Sequence, residues 1–212
     1  MNSKRNKFAV FLACGILLMV LPFLLQPFGN SWVRIIDMVL LYIMLALGLN
    51  IVVGYAGLLD LGYVAFFAVG AYVFGLLASP HLLANFAGLA ASFPDGVHYN
   101  IWVVLAVAAL IAGLAGMLLG APTLKLRGDY LAIVTLGFGE IVRIFLLILD
   151  RPVNITNGPK GLMRIDDVNL FGVDFGRPLD LGFINVESVS LYYYLFLLMV
   201  IMTIFICYRI EN

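Results

Sequence analysis

Long apolar runs separated by short polar breaks are the dominant pattern of this chain. The longest covers residues 35–78, 44 positions with only two charges, Asp37 and Asp60. A helix needs roughly 20 apolar residues to cross a bilayer, so this run is long enough to cross twice. Its middle is marked by GYAGLLDLG, residues 54–62, with three glycines in nine positions and no run of polar loop residues. A Gly-broken hydrophobic segment points to the binding region of a transporter.

The same pattern predicts six crossings, over residues 8–25, 35–53, 63–78, 101–121, 130–149 and 191–208. The third is short unless part of the 54–62 break also lies within the membrane. Short loops on the cytoplasmic side carry the excess of Lys and Arg. With Lys4, Arg5 and Lys7 inside, the link 122–129 (Lys125, Arg127) and the end near Arg209 also fall inside. Residues 79–100, on the other side, contain no Lys or Arg. The N-terminus is therefore expected in the cytoplasm. Residues 150–190 are the one sizeable soluble stretch and fall outside. Their glycines and scattered apolar residues fit an ordered cap with turns or a small hairpin, and equally a solvated linker.

Composition strengthens the membrane reading. Hydrophobic residues make up 64%, charged residues 11%, and mean hydropathy is +1.09. Soluble domains carry about 25% charged residues, so a soluble globular protein is excluded. A net charge of zero leaves no basic face for nucleic acid. The basic start followed by an apolar run has the layout of a signal peptide. That run is longer than a usual signal core and lacks a small-x-small cleavage site, so it reads as an uncleaved first helix. Cys14 and Cys207 lie in apolar runs without a CxxC partner and read as packing residues.

Candidate chemistry is confined to a few positions. Ala108, Ala112, Gly116 and Gly120 recur every four residues and form one small-residue stripe, which lets helix backbones approach closely in a membrane. Their alternative reading is the ordinary abundance of Ala and Gly in membrane helices. Glu140 and Arg143 are three apart and share a helix side. They are expected to face protein or water, as lining of a path or as a buried pair that fixes packing. Thr135, Gly137 and Gly139 just before them loosen the helix. Asp60 in the break either lines the path or caps the next helix; Asn50, Gly54, Gly57 and Gly62 flank it. Asp37 is expected at the interface. These break and helix residues are the candidate translocation-path or gating positions. No phosphate loop, HExxH, paired CxxC or GxSxG occurs. His81 and His98 lack metal-ligand spacing. No catalytic residue or metal site is therefore expected, and any ATP hydrolysis falls to another subunit.

Three blocks carry a family resemblance. They are GLNIVVGYAGLLDLGYVAFFAVGAY (residues 48–72), LRGDYLAIVTLGFGEIVRI (126–144) and TNGPKGL (156–162). In this order they closely resemble branched-chain amino-acid ABC permeases of the LivM type, over most of residues 40–165. The resemblance implies one all-α transmembrane permease domain over residues 1–212 in the bacterial inner membrane. It implies a sister permease subunit, two cytoplasmic ATPase subunits that use ATP and Mg, and a periplasmic amino-acid-binding protein. The implied substrate is leucine, isoleucine or valine. Urea permeases share the general pattern, so urea or another small amide is the nearest alternative. A subunit of an ion-coupled secondary transporter, and a membrane scaffold or non-functional remnant, are the others. The resemblance also implies a cytoplasmic coupling loop and further helices after the position of Asn212, so this chain is expected to be the N-terminal portion of such a permease. Without that loop it is expected not to couple to an ATPase.

Overall fold

The computed structural model describes residues 2–55, 57–86, 88, 100–123, 125–126, 128–170, 172–180 and 185–211. His98 and Arg127 lie outside the described residues. Helices dominate: α1 (Asn2–Leu25), α2 (Asn30–Asn50), α3 (Tyr63–Leu77), the short α4 (His81–Asn85), α5 (Ile101–Thr123), α6 (Asp129–Ile148) and α7 (Ser188–Glu211). Among the described residues, four segments are long and apolar enough to cross a bilayer: Asn30–Tyr55, Ile101–Ala121, Asp129–Ile148 and Ser188–Ile210. Helix α1 contains the whole of the expected first crossing. The third segment is as short as expected: α3 has 15 residues, a rise of about 22 Å against a hydrocarbon core of about 30 Å.

The chain forms two compact units, residues 1–48 with 175–212, and residues 49–174. In the first, α2 and α7 pack through Val33, Leu40, Tyr193, Leu197 and Val200. Positions 33, 40, 44 and 47 fall on one face of a 3.6-residue helix, which places Met44 and Leu47 against the same core. Asp37 lies on that stripe too. Its Oδ1 is sealed from solvent with no hydrogen-bond partner, because an acid four residues after Val33 and three before Leu40 cannot turn away from the packed face.

Helix α1 contains Pro22. A proline has no N–H for the carbonyl four residues earlier, which here is Leu18. The Tyr193 hydroxyl donates to that carbonyl at 2.7 Å, and the Tyr194 hydroxyl donates to the next one, Met19, at 2.7 Å. An unpaired buried carbonyl costs about 1–3 kcal/mol, so the tyrosines offset the defect that the proline makes. Strands β3 (Leu179–Asp180) and β4 (Asn185–Val186) pair antiparallel ahead of α7.

In the second unit α3 packs between α5 and α6. The stripe on α5 is inward: Ala108 is buried, and a Cβ on Gly70 of α3 would lie 3.5 Å from that of Ala112. At the far end of α3, Leu162 and Ile165 cover Gly75, and the Asp166 N–H donates to the Ala78 carbonyl at 2.6 Å. Strands β1 (Asn169–Leu170) and β2 (Val173–Asp174) form a hairpin with Gly172 at φ +85°. Residues 150–170 and 172–174 of the soluble stretch thus form an ordered cap on this unit.

Candidate functional site

The break after α2 is built from local backbone rules. Residues Ile51–Tyr55 leave the α-helical ladder for a π turn. Gly57 then takes φ +65°, a conformation open to glycine without cost. Asp60 Oδ1 accepts the Gly62 N–H at 2.8 Å, an Asx-type turn that leads the chain into α3. Asp60 therefore supports the helix start and also faces a cavity.

The break is clamped to α6. The Leu61 N–H donates to Thr135 Oγ1 at 3.0 Å. A Cβ on Gly62 would collide with the Thr135 carbonyl oxygen, and one on Gly139 would lie 3.5 Å from the Gly62 Cα. Thr135 is buried and stands six residues into α6, about 9 Å along its axis. The non-helical backbone of 57–62 thus lies beside the second turn of a membrane-spanning helix. Irregular backbone at membrane depth is tolerated only where it is buried in protein or lines a water-filled cavity.

It does line one. A cavity of about 170 Å³ is bounded by Asp60, Gly62, Gly116, Gly120, Thr123 and Thr135, with apolar walls such as Phe66 and Phe138. The end of α5 and the start of α6 meet the break here, so the 122–129 link and the break, expected on one side of the membrane, share one end of this unit. No atom lies within 4 Å of the place where a Cβ on Gly120 would sit. Gly120 opens this space, whereas Ala112 serves close helix approach. The Thr123 hydroxyl donates to the Gly120 carbonyl at 2.8 Å in the last turn of α5. Thr123 is a site residue that sequence reasoning missed; its signal was the spacing 116, 120, 123.

A second, more open groove of about 390 Å³ runs between α3 and α6 from Gly62 to Tyr72, and Gly139, Glu140 and Arg143 face it. Arg143 Nε donates to Glu140 Oε2 at 2.9 Å and Nη2 donates to Oε1 at 2.6 Å. The side chains are 64% and 53% exposed for Arg143 and Glu140. Of the two expected surroundings, protein or water, this chain supplies no protein cover for the pair, which stays exposed on α6. Each charge near a bilayer centre costs about 2.5–3.5 kcal/mol, so an uncovered pair half-way along a membrane helix calls for water or another chain beside it.

The remaining candidates divide. Gly54 stands against its own helix, its Cβ position 2.9 Å from Asn50 Oδ1. Gly137 is exposed, with open space around it. Asn50, Gly54, Gly57 and Gly137 line neither space. Among the described residues no cluster of His, Cys, Asp or Glu suits a metal ion.

Known proteins agree with the membrane-helix reading. The high-affinity branched-chain amino acid transport system permease protein LivM of Escherichia coli is 41% identical over 219 residues, 98% of this chain and 46% of its own length. Its Salmonella typhimurium namesake is 43% identical over 190 residues, 84% of this chain and 40% of its own length. The probable branched-chain amino acid transport permease protein LivM of Methanocaldococcus jannaschii is 30% identical over 156 residues, 63% of this chain and 44% of its own length. The chain spans less than half the length of each of these relatives. No solved structure matches it significantly. A family model described as the permease component of branched-chain amino acid transport systems matches residues 31–212. With most of its length matched, this multi-pass membrane chain belongs to that permease-component family.

Proposed function

We propose that this chain is the helix-broken core of a permease subunit in an ATP-driven importer that moves leucine, isoleucine and valine across the bacterial inner membrane. The observation that carries this reading is the 57–62 segment: non-helical backbone beside the second turn of α6, clamped by Thr135, forming one wall of a cavity with Asp60 and Thr123. A structural helix pair has no use for such a wall, whereas a path for a polar solute needs one. In this reading the N-terminus is cytoplasmic and the cap at 150–174 faces the periplasm, where a binding protein delivers substrate. A sister permease completes the path, and two ATPase subunits supply ATP and Mg chemistry that this chain does not perform.

The test is uptake of radiolabelled leucine into proteoliposomes holding the natural full-length chain, its sister permease and ATPases, with binding protein outside and ATP sealed inside. Uptake is expected to require ATP and to be competed by isoleucine and valine. ATP-independent uptake driven by a proton gradient would replace the reading with an ion-coupled carrier. Competition by urea but not by isoleucine would keep the transporter and change its substrate.

A further inference from the structure

We propose that the groove between α3 and α6 binds a zwitterionic α-amino acid, Arg143 taking its carboxylate and Glu140 its ammonium group, with the aliphatic side chain against the apolar wall. The substrate class rests on the transport reading above; the site and its discrimination are additional.

The pair is incompletely used as it stands. An arginine carries five N–H donors in a planar fork and a carboxylate has about four lone-pair positions. Glu140 occupies two of the Arg143 donors, and Arg143 engages one position on each Glu140 oxygen. Donors remain for a ligand carboxylate and acceptors remain for an ammonium, so a ligand can add to the pair without breaking it. Both side chains are more than half exposed, which leaves those remaining groups reachable.

The surroundings select the rest of the ligand. The groove wall is Leu61 from the break, Val64 and Ala68 on α3, and Leu136 and Leu147 on α6. Small-molecule sites are commonly apolar with a few placed polar groups and volumes of about 300–1,000 Å³, a range that includes this groove at about 390 Å³. The Glu140–Arg143 pair is neutral overall. A zwitterion adds a dipole that aligns with the pair and keeps the site neutral. A simple carboxylate or a simple amine adds a net charge at a depth where charge is least tolerated. The groove thus separates leucine from its des-amino and des-carboxy analogues by charge, and accepts it over polar amino acids by its wall.

The experiment uses the complete transporter in membranes, with Cys14 and Cys207 replaced by Ala and a single thiol introduced by Ala68→Cys. A membrane-impermeant methanethiosulfonate reagent should label this thiol. Millimolar leucine should slow labelling at least five-fold, whereas 4-methylpentanoate and isoamylamine should not. Glu140→Gln and Arg143→Gln, each in the same background, should keep the labelling and lose the protection by leucine. Absence of labelling without leucine would mean that another subunit covers the groove, and it would overturn the proposal. Protection that survives both substitutions, or equal protection by the two analogues, would overturn it as well. ATP-driven uptake by the unmodified complex is measured alongside. Uptake without protection defeats this site alone, and protection without uptake defeats the transport reading alone.

Discussion

Gly62 has no room for a methyl group. Its Cα lies against the α6 backbone, so Gly62→Ala must push α3 away from Thr135. Overpacking of this kind costs about 1–3 kcal/mol, and the thermal midpoint in detergent should fall accordingly. Gly113→Ala, on an exposed face of α5 with open space around it, should leave the midpoint unchanged or higher. An equal midpoint for Gly62→Ala would show that α3 and α6 do not touch there. A second residue-scale test concerns Tyr193 and Pro22. Tyr193→Phe leaves the Leu18 carbonyl unpaired, at about 1–3 kcal/mol. Pro22→Ala restores the helix's own donor to that carbonyl. In the double variant the tyrosine should therefore matter much less. Additive losses in a double-mutant cycle would refute the link. The sequence displayed Pro22, Tyr193, Gly62 and Thr135 but none of these pairings. Leu18 and Tyr193 are 175 residues apart, Leu61 and Thr135 are 74 apart, and local periodicity carries no information at that range.

Elements were more legible than contacts. Apolar run length located α2, α5, α6 and α7 to within a few residues, because a spanning helix must satisfy its own backbone and needs a fixed length. The break was legible from its glycines, and the shortness of α3 raised the expectation that the break enters the membrane, where the clamp to Thr135 puts it beside α6. The two hairpins of the soluble stretch were not legible individually, since strands of two residues have no alternation to read. The sealed Oδ1 of Asp37 was not legible for a different reason: an acid near the end of a run shows its burial only once the packed stripe on either side of it is known. The small-residue stripe yields a test at this scale. Gly70→Leu should separate α3 from α5 and lower stability by about 1–3 kcal/mol, because its neighbour Ala112 already stands at contact distance. Gly113→Leu, one position along α5 on an exposed face, should not. Equal effects of the two on the thermal midpoint would mean that the stripe is compositional rather than structural.

At the scale of the whole molecule, family membership was legible because two long blocks, residues 48–72 and 126–144, build the parts of one unit that touch: the break, the start of α3, and α6. The expected topology places Lys125 and Lys160, both exposed, on opposite sides of the membrane. An impermeant thiol reagent added outside intact cells should label a Lys160→Cys variant, and a Lys125→Cys variant only after permeabilisation; the reverse pattern would invert the topology. The central claim is that the broken segment walls the solute path. Gly120 allows a direct test, because it borders the cavity with Asp60 and Thr135 and a Cβ added there meets no neighbouring element within 4 Å. ATP-driven leucine uptake by the complete transporter is therefore to be measured for Gly120→Leu, with Gly113→Leu as the control on the exposed face and equal assembly of both variants established by co-purification. If the broken segment walls the path, Gly120→Leu should lower uptake at least ten-fold while Gly113→Leu transports normally. Normal uptake by a fully assembled Gly120→Leu transporter would contradict it.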